Sequence, residues 1–173
     1  MPIGRSTDQW DPQALPLSET EAEAARDIFF VECRTGLRIG DLLMLRRNGF
    51  DGQTIRLQMQ KTGRWFEIPV AQGVRVILEK YSARISSPES FIFPFIRAKK
   101  LSDEKFSRSK AVNYATSRIN CHVKMLAQQA GISKKVTTHV GRHTFATMLL
   151  SKGASIFEVK EMLDQGGRAV TGT

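Results

Sequence analysis

The segment TTHVGRHTFATMLLSKG, residues 137–153, sets His139, Arg142 and His143 within five residues at the start of an amphipathic helical pattern. Three chemistries suit such a cluster. The i, i+4 histidines have the spacing of a zinc pair, but the metalloprotease pattern H-E-x-x-H requires a general-base glutamate where this chain has Val140, and no cysteine or acid lies close in sequence to complete a ligand set. A structural role would have His139 capping the helix and Arg142 meeting a surface acid. An anion-holding role would use the guanidinium and imidazole groups beside the unpaired N–H groups of a helix start. Taken alone, the segment is compatible with the last two readings.

Two further cations stand where a helix start or a turn would present them. Arg38 lies in TGLRIGD, just after a helix break at Gly36, and Lys61 lies in QKTGR between two alternating runs. Each alone has an ordinary explanation as a structural arginine or a solvated lysine.

The elements that must position these groups follow from periodicity. LSETEAEAARDIFFVEC opens on Ser18 and Glu21 in a capping-box arrangement and continues with Ala22, Ala25, Phe29 and Cys33 on one helical stripe. Ile39, Leu42, Leu43 and Leu45 resume helical spacing after Arg38. The period then changes to two: Ile55, Leu57 and Met59 share one face and Phe66, Ile68 and Val70 another, which predicts a β-hairpin with Lys61 at its turn. Val74, Ile77, Leu78, Tyr81 and Ile85 predict a further helix, followed by a loop containing FIFPFI. The basic stretch IRAKKLSDEKFSRSK lacks clear periodicity and suggests a mobile surface loop. From Ser109, Val112, Ala115, Ile119, Val123 and Leu126 trace the longest helix, closed at Gly131; Phe145, Met148 and Leu149 face the core on the next, closed at Gly153; Ile156, Val159 and Leu163 mark a last short one. The expected fold class is α+β, mostly helical, with one small antiparallel sheet.

The charge is uneven. Of a net +9, residues 1–32 carry Arg5 and Arg26 against seven acids, a balance of −5, leaving +14 on residues 33–173. A basic surface of that size suits either a polyanionic partner, whose condensed counterions are released on binding, or plain solubility. No apolar run approaches the roughly 20 residues of a membrane span, and the polar N-terminus has no secretory signal, so a cytoplasmic location is expected. Cys33 and Cys121 form neither a C-x-x-C pair nor a disulfide framework and are expected as reduced core thiols.

The phrases TGLRIGDLLML, MQKTGRWFEIPV and HVGRHTFATMLLSKGASIFEVKEML, in this order and at these separations, resemble the catalytic domain of the tyrosine recombinases, the phage and transposon integrase family. HVKMLAQQAGI is most similar to the corresponding segment of conjugative-transposon integrases. The resemblance runs from about Leu17 to Leu163, which implies a short N-terminal segment (1–16), a catalytic domain (17–163) and an unstructured or altered tail (164–173). It implies a metal-free and cofactor-free transesterification on double-stranded DNA, in which a tyrosine attacks a phosphodiester and leaves a 3′-phosphotyrosine. It further implies tetrameric self-association on DNA, a place with the bacterial nucleoid, and no membrane or metal partner. In the family an arginine in T-G-L-R, a lysine on a β-hairpin and an H-x-x-R element gather round the scissile phosphate, and those roles fall on Arg38, Lys61, His139 and Arg142. Two guanidinium forks suit the charge that develops on non-bridging oxygens, and a lysine whose pKa is lowered by neighbouring cations suits protonation of the departing 5′-oxygen. Asp41 and His143 are expected in supporting roles, His143 equally as a packed, hydrogen-bonded helix residue.

The pattern departs from the family near its end. The L-G-H phrase, whose histidine contacts phosphate, reads Leu163, Asp164, Gln165; Gln165 offers one neutral hydrogen bond and Asp164 an opposing charge. The family's tyrosine falls just beyond Thr173, and the tyrosines present, Tyr81 and Tyr114, lie in helical patterns that suit structural roles. The leading residues leave no room for the helical core-binding domain that usually completes the DNA clamp. The expectation is therefore a recombinase catalytic domain without its nucleophile and inactive by itself. The rivals are a non-catalytic DNA-binding remnant or regulator of integration, and a protein-interaction role for the basic stretch from Arg97 to Lys110.

Overall fold

Ala24, Ala25, Ile28, Val31 and Thr35 recur at helical spacing and form the buried face of α1 (Glu19–Thr35) in the computed structural model, which describes residues 19–58, 63, 65–96, 101 and 105–165. The stripe is rotated from the expected one: Ala22, Phe29 and Cys33 are half-buried and Phe30 is exposed. The reason is that α1 is covered on several sides, by α2 (Ile39–Leu43), α3 (Gln72–Ser82), α4 (Lys105–Gln129) and α5 (Thr138–Ser151), so more than one stripe is enclosed. Glu21, expected in a capping box, sends its carboxylate to Arg118 of α4, with His122 Nε2 3.6 Å away. Ser18 lies outside the described residues.

The corner between α1 and α2 is set by Gly36. Its φ of +65° closes α1, with its N–H donating to the Glu32 carbonyl at 2.9 Å, and a Cβ there would fall 2.3 Å from Cδ1 of Phe145. Arg38 then takes an extended conformation as the N-cap of α2. At five residues, α2 is too short for a helix dipole to favour an anion at its start, so what this corner offers is the Arg38 side chain itself.

The hairpin forms where alternation predicts it. β1 (Thr54–Gln58) pairs antiparallel with β2 (Trp65–Pro69), Ile55 opposite Ile68 and Leu57 opposite Phe66 on the core face, Arg56 opposite Glu67 on the solvated face. Met59 and Lys61 lie outside the described residues. α3 buries Val74, Leu78 and Tyr81, while Ile85 falls beyond its end.

The loop carrying FIFPFI is a core strap. Phe91, Ile92, Phe93 and Ile96 are buried, and the Ile92 N–H donates to the Leu45 carbonyl at 2.8 Å, so irregular backbone carries some of the largest apolar side chains inward. α4 begins at Lys105, four residues before the expected Ser109, so part of the presumed basic loop is helix. Arg108 and Lys110 are good helix formers on a solvated face, which leaves no apolar period to read. Residues 97–100 and 102–104 lie outside the described set.

α5 packs on α1 and carries α6 (Ile156–Gln165), which opens on a reciprocal cap: the Ser155 N–H donates to Glu158 at 2.7 Å and the Glu158 N–H to Ser155 Oγ at 3.2 Å. Only part of the expected α6 stripe turns inward. Val159 is buried and Leu163 half-buried, but Ile156 is 78% exposed, because the first turn of α6 projects past the elements it packs on. Among the described residues no helix is long and apolar enough to cross a membrane.

Candidate functional site

The first turn of α5 is fixed by its neighbours. Thr137 is extended as N-cap, and the Thr138 N–H donates to Asn120 Oδ1 of α4 at 2.8 Å, satisfying one of the open donors of the helix start. From this anchored turn the side chains diverge. His139 is exposed; Gly141 is buried against α1; Arg142 turns inward.

Arg142 ties three segments together. Its Nη1 donates to the Gly36 carbonyl at 2.6 Å and its Nη2 to the Leu163 carbonyl at 2.8 Å, so the guanidinium plane is held between the α1–α2 corner and α6. Arg38 is half-buried, and its Nη1 is buried without a hydrogen bond. A guanidinium nitrogen in that condition is costly unless a ligand or solvent completes it.

These residues converge. Arg38, Ile39, Gly40 and Asp41 from the α2 corner, Thr138, His139 and Arg142 from α5, and Glu32 from α1 line one cleft of about 360 Å³. Of the residues singled out in the sequence, Arg38, Asp41, His139 and Arg142 are thus brought together. Asp41 is buried in the first turn of α2. His143 is exposed rather than packed, and its ring meets that of His139 edge to face, centroids 5.2 Å apart. Among the described residues no group of three histidine, cysteine or acidic side chains is placed to hold a metal ion. Lys61 lies outside the described residues. Gln165 is the last residue of α6, and its side chain and that of Asp164 are outside the description.

Neither tyrosine lines the cleft. Tyr81 is buried on α3 and donates to Asp27 Oδ2 at 3.0 Å; burial, followed by that hydrogen bond, pushes its phenol up to about 12. Tyr114 lies on α4 with 36% of its surface exposed.

Glu32 is the cleft residue that periodicity did not flag. It is 2% exposed and lies one and two turns beyond Ile28 and Ala25 on the buried face of α1. An acid in register with an apolar stripe was the available signal. Burial drives its carboxyl up to about 8, against the pull of the Arg142 charge and a hydrogen bond from the Ile39 N–H.

Residues 12–166 match the model of the phage integrase family. The chain belongs to that family. This integrase-family chain is 27% identical over 175 residues to the tyrosine recombinase XerA of Pyrococcus furiosus, covering 92% of itself and 57% of the relative. It is 30% identical over 139 residues to the tyrosine recombinase XerC of Myxococcus xanthus, covering 79% and 44% respectively. The crystal structure of XerA recombinase superposes with a TM-score of 0.55 at 25% identity over 90% of this chain and 57% of that one. The Tn1549 transposon integrase, solved in complex with circular intermediate DNA, superposes at 0.54 and 18% identity over 95% of this chain and 60% of that one, a likeness of fold. The fold is that of a tyrosine recombinase catalytic domain, and the chain spans about half the length of these relatives.

Proposed function

We propose that this integrase-family domain holds a scissile DNA phosphate in the cleft between Arg38 and Arg142, for transesterification through a 3′-phosphotyrosine. The observation that carries this is the meeting of two arginines from opposite ends of the chain in one cleft, one of them with a buried guanidinium nitrogen that makes no hydrogen bond. Arg142, held by the Gly36 and Leu163 carbonyls, presents a preorganised fork, and Arg38 supplies a second. His139 at the cleft wall is the neutral or cationic donor, Asp41 and His143 orient it and Arg38, Gln165 adds a contact from the end of α6, and Lys61 protonates the leaving 5′-oxygen.

The partner in this reading is double-stranded DNA, with further copies of the chain assembling on it in the bacterial nucleoid. Support for DNA comes from the +14 balance of residues 33–173 and from the DNA bound to the Tn1549 integrase. Exposed Leu150, Ile156 and Phe157 on α5 and α6 suit contact between copies.

These 173 residues bind in this reading without cutting, because Tyr81 is locked to Asp27 and neither tyrosine faces the cleft. The test is a nicked suicide duplex with the 173-residue chain. Binding without a covalent adduct is expected; an adduct mapped to Tyr81 or Tyr114 overturns that part. Arg38→Ala should weaken binding about 10- to 100-fold, the loss of charge-assisted hydrogen bonds worth roughly 1.5–3 kcal/mol. Unchanged affinity in Arg38→Ala and in Arg142→Lys would remove the cleft as the phosphate site.

A further inference from the structure

Glu32 has no task in the chemistry above, yet it occupies the floor of the cleft. Its carboxyl accepts from the Ile39 N–H, while Oε2 is buried and makes no hydrogen bond. A Cβ on Gly141 would lie 2.8 Å from that oxygen, so the carboxyl abuts the backbone of α5 one residue before Arg142. The groups facing it are Arg38 and Asp41 from α2 and His139 and Arg142 from α5, with Cys33 beside it on α1. From α4, Asn120 is engaged by the Thr138 N–H, and from α6 the Leu163 carbonyl is engaged by Arg142.

An ionised carboxylate here and a bound phosphate compete for the same guanidinium charge. A neutral carboxylic acid does not compete, and its O–H gives the cleft a donor where the carboxylate offers only acceptors. Resting on the phosphate reading of the cleft, we propose that Glu32 is a positioning residue whose protonation sets the cleft's charge: protonated, it leaves the Arg38–Arg142 pair to the phosphate; ionised, it engages Arg142 and weakens anion binding. Burial favours the protonated form up to about pH 8, and an arriving phosphate favours it further, so binding takes up a proton and affinity falls as pH rises through that range. Burial followed by the Glu32 charge pushes the Cys33 thiol to about 11, above that range.

The experiment measures affinity of the chain for a labelled DNA duplex at fixed ionic strength between about pH 6.5 and 9, alongside 13C NMR of glutamate carboxyls with and without inorganic phosphate. Wild type should lose affinity roughly tenfold across this range, one unit of proton linkage. Glu32→Gln, which keeps the shape and the Ile39 contact, should bind as wild type does at pH 6.5 and hold that affinity to pH 9. In the wild-type spectrum one carboxyl should titrate near 8 and move upward when phosphate is added. An unchanged pH slope in Glu32→Gln overturns the proposal. So does a spectrum in which every glutamate titrates in the ordinary carboxylate range, a readout that needs no variant. Failure of the underlying reading looks different: the carboxyl titrates near 8 but ignores phosphate, and Arg38→Ala leaves DNA affinity unchanged.

Discussion

Helix α1 buries two acids five residues apart, and they are in opposite states. Asp27, at the α3 side, accepts from Lys80 Nζ at 2.6 Å, Arg26 Nη2 at 2.9 Å and the Tyr81 phenol at 3.0 Å. Burial works against its charge, but those three donors outweigh it and hold the carboxyl below the usual range. Glu32, at the α5 side, has a backbone N–H for one oxygen and nothing for the other, and burial wins. The same helix, with both carboxyls closed off from solvent and Glu32 the more deeply enclosed, thus gives a charged strut at one end and a neutral, unsatisfied acid at the other. Depth of burial and the number of donors together decide the charge of each carboxyl. The satisfied end is structure, and the unsatisfied end faces the cleft.

That contrast can be broken most forcibly at its satisfied end. Asp27→Ala leaves the Tyr81 hydroxyl without its acceptor and Lys80 with Glu23 alone, and should cost roughly 3 kcal/mol, at the low end for a broken buried pair because Lys80 keeps Glu23 and some solvent contact. Urea unfolding at neutral pH measures it; a loss under about 1 kcal/mol would mean the network is ornamental.

At the other end the sign reverses. Glu32→Gln should leave stability almost unchanged near pH 4.5 and raise it progressively between there and pH 8, by on the order of 1–3 kcal/mol, because folded wild type must hold a proton that its unfolded chain releases. The folded carboxyl titrates at about 8 against an ordinary value of 4.5, so between those values the native state binds the extra proton. Wild-type stability therefore falls as pH rises through that window and levels off above it. A variant less stable than wild type at pH 9 contradicts this.

Asp27 gives the mirror image and a smaller effect. Its folded pKa is depressed, so its contribution is fully present above the unfolded value near 3.8 and is lost as pH falls through the folded one. Acid unfolding curves of wild type and Asp27→Asn should lie apart above about pH 4 and draw together as pH falls below it. Parallel curves would show that the carboxylate carries no pH-dependent stability.

Much of this was legible in the sequence, for reasons that also explain the gaps. The hairpin register follows from a strict period of two, and Ile55 meets Ile68 as alternation requires. Gly36, Gly131 and Gly153 mark helix ends and all have positive φ. Arg38, His139 and Arg142 could be named because their neighbours spell a family pattern; helical spacing alone would not have brought positions so far apart together. What escaped was whatever carries burial against type. Phe91 and Phe93 are core residues on irregular backbone, which has no period to detect. Ile156 and Phe157 are apolar and exposed, a property of where α6 projects rather than of its composition. Glu32 was counted only among the acids of the N-terminal stretch, since its burial depends on α5, more than a hundred residues away.

That dependence on α5 gives the finest test of the contrast between the two acids. Gly141→Ala places a methyl group 2.8 Å from Glu32 Oε2 and 3.3 Å from its Cδ, so the carboxyl must shift within a site already closed to solvent. Overpacking of this kind costs about 1–3 kcal/mol. If the collision is with the carboxyl, trimming that side chain must relieve it, so Glu32→Ala and Gly141→Ala together should cost less than the sum of the singles by on the order of 1 kcal/mol. Asp27→Asn, on the far side of the same helix, should add to Gly141→Ala without coupling. Additivity in both cycles would mean that the α5 backbone and the Glu32 carboxyl do not bear on each other, and the cleft floor would then have to be rebuilt without their contact.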